Sequence, residues 1–435
     1  MPIELNATHD PARRSWVDGA NAPNTDFPIQ NLPFGLFRER ELTGEGGPRG
    51  GVALGHSIID LARLHAAEVL DGPAVAAAQA ASQTSLAPLL ECSPRAVSAL
   101  RAQLSELFRE GGSGDQAQLS SVLVPMSEAE VLLPLKPAAF TDFCTSYDHI
   151  RRMGGGTPKL PALSLPVAYN GRASSVRPSG TPVIRPKGQF ETAPGSGEVR
   201  FGPEPLLDFE VEFGAWLRGG NALGEAISVT HAEDLLFGCC LVNDWSARGI
   251  QFFESVLGPH LGKSFLTTIS PWIVTMEALA PFRVPARGRT EEEPAVPAYL
   301  LAPEDRSSGG INVELSAHLA NEAGAGRTIV RSNLDELFWT LAQMVAHQAS
   351  NGAPLEAGDL IATGTVSGAS QEARGCLAEI TLRGEEIIEL PDGSSRKMLE
   401  DGDTLTLSGR AVADGYVSIG FGECSGTIYP ARAAA

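Results

Sequence analysis

Two glutamates separated by a single residue interrupt an apolar run, Leu206-Leu207-Asp208-Phe209-Glu210-Val211-Glu212-Phe213. In a strand, Phe209, Val211 and Phe213 point one way while Glu210 and Glu212 point the other, because the side-chain period is two. Carboxylates on one face repel each other and resist burial. A divalent cation that prefers hard oxygen ligands answers both objections. The competing reading is a strand with one wet face.

Further polar clusters bear on that choice. Asn243-Asp244-Trp245-Ser246-Ala247-Arg248 ends an apolar segment abruptly, which simple helix capping also explains. Beyond Gln251, the stretch Gly262-Lys263-Ser264-Phe265-Leu266-Thr267-Thr268 adds a flexible cation after a glycine suited to close approach of backbone to ligand. The GxxxxGK[ST] pattern is incomplete, so this is no phosphate-binding loop. Upstream, Thr141-Asp142-Phe143 precedes Tyr147-Asp148-His149, and imidazole is the side chain suited to proton transfer near neutral pH. The bland alternative for His149 is a solvent-facing loop residue. Gly364-Thr365-Val366-Ser367-Gly368 reads as a turn with hydroxyls, and Glu379 as an isolated acid on a strand from Leu377 to Leu382.

The elements that must position these groups are legible in outline. Pro94 to Arg109 predicts a helix with proline in its first turn, stopped by Gly111-Gly112-Ser113-Gly114. Short strands are expected at Gly51–Leu54 and Ile58–Leu61, and a domain boundary near residue 127, giving an N-terminal domain 1–127 and a catalytic domain 128–435. The second part reads as sheet-rich, with Leu360–Thr363 and Thr404–Leu407 among its strands. Two helices interrupt it. Thr230 and Glu233 have capping-box spacing before Leu235, Leu236, Cys239 and Val242, and Asn333 is placed to cap a helix carrying Leu337, Leu341, Met344 and Val345. Residues 150–200 read as largely loop, and Glu291–Glu293 as a solvated turn.

Composition bounds the class. The chain has 435 residues, 43% of them hydrophobic, enough for one or two sizeable cores. No stretch is apolar and long enough to cross a bilayer, and Asp10, Arg13, Arg14 and Asp18 stand where a signal peptide needs an apolar core, so a cytoplasmic location is expected. With 33 basic against 52 acidic residues, a net charge of -19 and no basic stripe, nucleic acid is not an expected partner. Six cysteines show no staple pattern and read as free thiols; neither CxxC nor HExxH occurs, so zinc has no local support.

Taken in order, several segments resemble the fumarylacetoacetate hydrolase family over nearly the whole chain: Phe27-Pro28-Ile29-Gln30-Asn31-Leu32-Pro33-Phe34-Gly35, Asp142-Phe143, Leu165-Pro166-Val167-Ala168-Tyr169, Gly171-Arg172-Ala173-Ser174-Ser175, Asn243–Arg248, Gly262-Lys263-Ser264-Phe265 and Gly420-Phe421-Gly422. The resemblance implies a mixed, mainly β fold: a small N-terminal SH3-like barrel domain followed by a C-terminal mixed β-sandwich roll, assembled as a homodimer. It implies hydrolysis of a carbon–carbon bond in 4-fumarylacetoacetate, giving fumarate and acetoacetate at the end of tyrosine and phenylalanine degradation. By the same resemblance the metal ligands fall on Asp142, Glu210, Glu212 and Asp244, with Lys263 and Thr267 beside the metal region. The ion is magnesium or calcium, manganese being compatible with the same oxygens, and no organic cofactor is implied. His149 is the implied general base and Glu379 its orienting partner, while Arg248, Gln251 and Lys263 stabilise enolate charge. Tyr169, Gln251 and Thr365 match substrate contacts.

The chain departs from the family where substrate is gripped. Cys144 stands where the family has tyrosine, a second tyrosine is replaced near Ser255, and the loop of residues 150–168 is short, leaving Arg151 and Arg152 as candidates for the substrate carboxylate by composition alone. Hydrolysis of another acylpyruvate or 1,3-diketo acid is therefore the first alternative. Hydration or decarboxylation, and a catalytically silent, metal-stabilised binding protein, are the others.

Overall fold

The computed structural model describes residues 3–40, 47–193 and 195–433, so the outermost residues of both expected domains lie outside the described residues. A 13-stranded sheet runs Leu123–Pro125, Ser57–Asp60, Arg49–Leu54, Phe34–Glu39, Trp272–Thr275, Leu236–Asp244, Val211–Leu217, Leu360–Ala362, Phe140–Cys144 and Val167–Asn170, with three strands branching off that path. Its first four strands come from the N-terminal part. They join the rest through Phe34 opposite Ile273, and Ala129–Leu132 pairs back onto Phe34–Glu39. Among the described residues these pairings make the N-terminal strands continuous with the larger sheet and do not confirm a closed barrel.

The sheet has two faces because its strands alternate. Phe213, Ala215, Leu217, Cys239, Leu241 and Val274 enter the larger apolar core, while Trp216, Cys240, Val242, Ile273 and Leu360 enter the core under the N-terminal helices. Those helices include Gly72–Ala81 and Pro94–Leu107, the latter opened by Ser93, whose side chain accepts from Ala96 N–H, with proline in the first turn as expected. On the other side lies a six-stranded sheet built on Val313–Ala320 and Thr404–Ala411, whose alternate residues Leu315, Ala317, Leu319, Leu405 and Leu407 are buried. The chain ends are tied together by Asn31, whose side-chain amide donates to Gly420 and Asp26 carbonyls.

Several expected elements differ. Ser228, not Thr230, caps the helix Val229–Leu235, and the apolar run that follows is the strand Leu236–Asp244, buried on both faces. A run apolar at every position fits a buried strand as well as a helix. Asn333 caps only a 3-10 turn, Leu334–Glu336; the helix Leu341–Gln348 starts at Thr340, which forms a capping box with Gln343. Glu379 lies on the one-turn helix Leu377–Ile380 rather than on a strand. Residues 150–200 hold short helices and a hairpin, Lys187–Glu191 with Val199–Pro203. Within Glu291–Glu293, Glu293 is paired with Arg287 at 2.9 Å. Among the described residues no helix is long and apolar enough to cross a membrane.

Candidate metal centre and its histidine

Strand parity builds the site. Glu212 shares a face with Trp216, Asp244 with Val242 and Cys240, and Asp142 with Phe140, so all three carboxylates emerge on the N-terminal face of the sheet. Asp142 lies opposite Ala362, and Gly214 of the glutamate strand opposite the same alanine, which sets the two acid-bearing strands either side of Leu360–Ala362. Gly364 continues that strand at a φ of +73°, where any Cβ would strike the carbonyl oxygen of Phe143, so glycine is required beside the Asp142 strand.

The outcome is a cluster of Asp142, Glu210, Glu212 and Asp244 in which one oxygen of each lies within 4.8 Å of the others, all buried. Among the described residues, Asp142 Oδ1 and both oxygens of Glu212 have no hydrogen-bond partner. Burial, then the neighbouring acids, pushes the carboxyls of Asp142 and Glu212 well above the usual range. Unpartnered buried oxygens of hard donor type fit a divalent cation of the magnesium or calcium class.

Basic residues serve the other oxygens. Lys263 Nζ donates to Glu210 Oε2 at 2.5 Å and to Asp244 Oδ2 at 2.6 Å. Arg248 Nη2 lies 2.8 Å from Glu210 Oε1, and its Nη1 donates to Gln251 Oε1 at 3.1 Å. Burial alone would raise Glu210, but Lys263, then Arg248, hold it below the ordinary carboxylate range. Burial likewise opposes the Lys263 charge, and Asp244, then Glu210, reverse that and raise it. A charged ammonium has no lone pair, so Lys263 stands beside the acids as a charge. Thr267 brings an oxygen, its hydroxyl donating to Asp244 Oδ1 at 3.2 Å. Tyr169 donates to Asp244 Oδ2 at 2.7 Å.

His149 sits on the helix Tyr147–Met153, capped by Ser146, and is buried rather than on a solvent-facing loop. Its Nδ1 is 2.6 Å from Glu379 Oε1, and Nε2 is 3.5 Å from Thr365 Oγ1. Burial works against the Glu379 charge, but His149 and then hydrogen bonds from His149, Ser367 and Arg152 bring its carboxyl down to about 2. His149, Cys376 and Glu379 also have donor types for a metal, yet both Glu379 oxygens are already engaged.

The expected site residues thus fall into two groups, the four carboxylates with Lys263, Arg248, Gln251, Thr267 and Tyr169, and His149 with Glu379 and Thr365, while three expectations about roles meet other arrangements. Arg152 donates to Glu379 Oε2 at 2.9 Å and to the carbonyls of Gly368, Ala369 and Ser370, so its guanidinium is committed within the protein, whereas Arg151 is exposed with one bond to Asp148. Gly262 admits the backbone of Gln251, where a Cβ would come within 2.8 Å, and the close approach is therefore between two protein segments. Ser255 is exposed, its hydroxyl bonded to the Gln251 carbonyl. Sequence reasoning gave no part to Ser367, which donates to Glu379 Oε1 at 2.6 Å, nor to Glu204, whose carboxylate accepts from Leu206, Gly249 and Ile250 N–H at the start of the Arg248 helix. The hydroxyl-rich turn at 364–368 was the available signal for the first; nothing local marks the second.

Residues 138–429 match the Fumarylacetoacetate (FAA) hydrolase C-terminal family and residues 30–134 the Fumarylacetoacetase N-terminal family. The chain is 42% identical over 429 residues to the fumarylacetoacetase of Oryza sativa subsp. japonica, covering 96% of this chain and 97% of that protein. It is 41% identical to that of Caenorhabditis elegans, covering 94% and 97%, and 38% identical to that of Homo sapiens, covering 94% and 98%. Among solved structures, a fumarylacetoacetate hydrolase from Exiguobacterium antarcticum superposes with a TM-score of 0.51 at 16% identity, over 92% of this chain and all of that one, a likeness of fold alone.

Proposed function

Because the chain belongs to the fumarylacetoacetate hydrolase family, we propose that it hydrolyses the carbon–carbon bond of 4-fumarylacetoacetate to fumarate and acetoacetate, the last step of tyrosine degradation. The observation that carries this reading is the convergence of four buried carboxylates beside a histidine–glutamate pair.

Asp142, Glu210, Glu212 and Asp244 would hold a divalent ion of the magnesium or calcium class, which would supply Lewis-acid polarisation of the diketone and spread developing negative charge. The protein's own residues do the rest. His149 carries its proton on Nδ1 against Glu379, leaving Nε2 to accept a proton from water, with Thr365 beside it. The water oxygen bonds to the attacked carbonyl carbon, the bond from that carbon to the neighbouring methylene breaks, and the electron pair leaves as the enolate of acetoacetate, later protonated. A free carbanion is too basic to leave readily in water, so the cations of Arg248 and Lys263, with Gln251, stabilise that enolate. Tyr169 and Thr365 complete the substrate contacts.

The chain works as a homodimer in the cytoplasm; six free thiols fit a reducing compartment, and the apolar residues around Val256 and Leu257 offer a surface for a second copy. The division into 1–127 and 128–435 belongs to this reading, with the first part contributing the N-terminal strands of the sheet and its helices. Cys144 favours a second reading, hydrolysis of a simpler acylpyruvate: it shares a strand with Asp142, two residues on and so on the same face.

An ultraviolet assay with product identification decides. Metal-dependent turnover of fumarylacetoacetate well above that of simpler acylpyruvates is expected. Equal or better use of the simpler compounds would replace the substrate, and no turnover of either with magnesium, calcium or manganese would remove the activity.

A further inference from the structure

A buried charge needs partners, and the carboxylate of Asp208, fully buried, has four donors that come from both halves of the site. Its Oδ1 accepts from the backbone N–H of Phe209 and of Leu377, each at 2.8 Å. Its Oδ2 accepts from Arg248 Nε at 2.9 Å and from Ala378 N–H at 3.1 Å.

Leu377 and Ala378 open the one-turn helix that carries Glu379, and the side chain of Cys376 at its N-cap does not cap these amides, its thiol donating instead to Glu379 Oε1 at 3.7 Å. A single turn does not hold itself together, since its nucleation is unfavourable and its first amides are orphans. Asp208 supplies that cap from a distant strand. The same carboxylate fixes Arg248, which in turn reaches Glu210 and Gln251. Asp208 itself is held on a short strand, Leu207–Asp208, paired with Ser246–Ala247 next to Arg248.

We propose that Asp208 is a positioning residue that aligns the base-orienting arm, Glu379 and His149, with the anion-stabilising arm, Arg248 and Gln251. The proposal rests on the roles given to those residues above. An asparagine has nearly the same shape but places an N–H₂ where one oxygen faced two donors, so one arm must move. Misplacement by about 1 Å costs on the order of 10²-fold in rate.

The test is a pair of mutant cycles at saturating magnesium with fumarylacetoacetate: Asp208→Asn, Glu379→Gln, Arg248→Lys and the doubles containing Asp208→Asn, each normalised to folded protein. Asp208→Asn is expected to lower kcat about 10- to 100-fold with KM within about threefold, and to cost less than about threefold more once Glu379→Gln or Arg248→Lys is present. An unchanged kcat, or the same factor lost in every background, would overturn the positioning role and leave Asp208 structural. The single Glu379 and Arg248 variants judge the underlying reading separately: if both are fully active, that reading fails whatever Asp208 does.

Should Asp208→Asn not fold, Leu377→Pro removes one donor and keeps the carboxylate. Cys376 is extended, at φ −151° and ψ 163°, as a residue before proline must be, and proline suits the first helical position. It is expected to lower kcat about three- to tenfold in the parent and not in the Glu379→Gln background; an unaltered parent kcat, or an equal loss in both, would overturn the proposal.

Discussion

At the scale of single residues, the site is defined by what its charges lack. Glu212 is the most telling member: both oxygens are buried without a donor among the described residues, and burial together with Asp142, Glu210 and Asp244 disfavours its charge. Replacing it with glutamine removes one ligand charge and one source of repulsion. Glu212→Gln is therefore expected to lose most of the rise in Tm that calcium or magnesium gives the parent, yet to melt no lower than the parent in chelator; differential scanning fluorimetry reads both. A variant with an undiminished metal response would take Glu212 out of the ligand set. His149 separates chemistry from metal uptake, because its polar contacts are with Glu379, Ser146 and Thr365. His149→Ala is expected to bind metal as the parent does and to lose on the order of 10²-fold or more in kcat, the usual worth of a general base. Full activity at saturating substrate would require another base.

At the scale of elements, part of the architecture was readable because it depends on local pattern. Alternation put Glu210 and Glu212 on one face, and Pro94 marked a helix start. Legibility ended where a distant partner decided. The strand Leu236–Asp244 is apolar at nearly every position, which its burial on both faces explains and its sequence period does not. Glu379 sits on a helical turn because Asp208 caps it across the fold, and no neighbour in sequence announces that. Arg152 looked free by composition and is engaged by Glu379 and three carbonyls. The helix pair Pro303–Ser308 and Leu341–Gln348 gives an element-scale test. Asp305 on the first accepts from Thr340, the cap of the second, at 2.7 Å, and burial, with Glu233 nearby and only partly offset by that bond and by Arg283, raises its carboxyl from 3.8 to about 6. A folded-state pKa above the unfolded one contributes stability when the group is protonated and loses it as pH rises through that value. Above pH 6 the buried charge costs roughly 2–3 kcal/mol by linkage. Asparagine keeps the acceptor for Thr340 without the charge. Asp305→Asn is expected to raise Tm at pH 7.5 and to match the parent near pH 4, with kcat unaltered; a Tm difference constant across that range would show that the carboxyl does not titrate there.

At the scale of the whole molecule, charge and apolar surface pull against each other. Each chain carries a net charge of -19, so two copies repel at low salt, and only a well-defined apolar contact overcomes this. The last turn of the Arg248 helix and the segment after it have that character: Phe252, Phe253, Val256, Leu257 and Leu261 are 47%, 39%, 90%, 100% and 53% exposed. Solvent-facing apolar residues concentrated in so short a stretch mark an interaction surface more often than chance exposure. The same segment is pinned to the site from within, since Glu254 accepts from His260, Leu261 and Gly262 N–H immediately before Lys263. A second copy covering this face would therefore steady the turn that delivers the Lys263 ammonium to Glu210 and Asp244. Val256→Asp combined with Leu257→Asp puts two further negative charges on each copy at that contact. The pair is expected to shift sedimentation at micromolar concentration from dimer to monomer, more completely at low salt than at high salt because screening weakens the added repulsion, and to lower kcat in step with the monomer fraction. A parent that sediments as a monomer, or a double variant that stays dimeric at low salt, would move the contact between copies to another face or remove it.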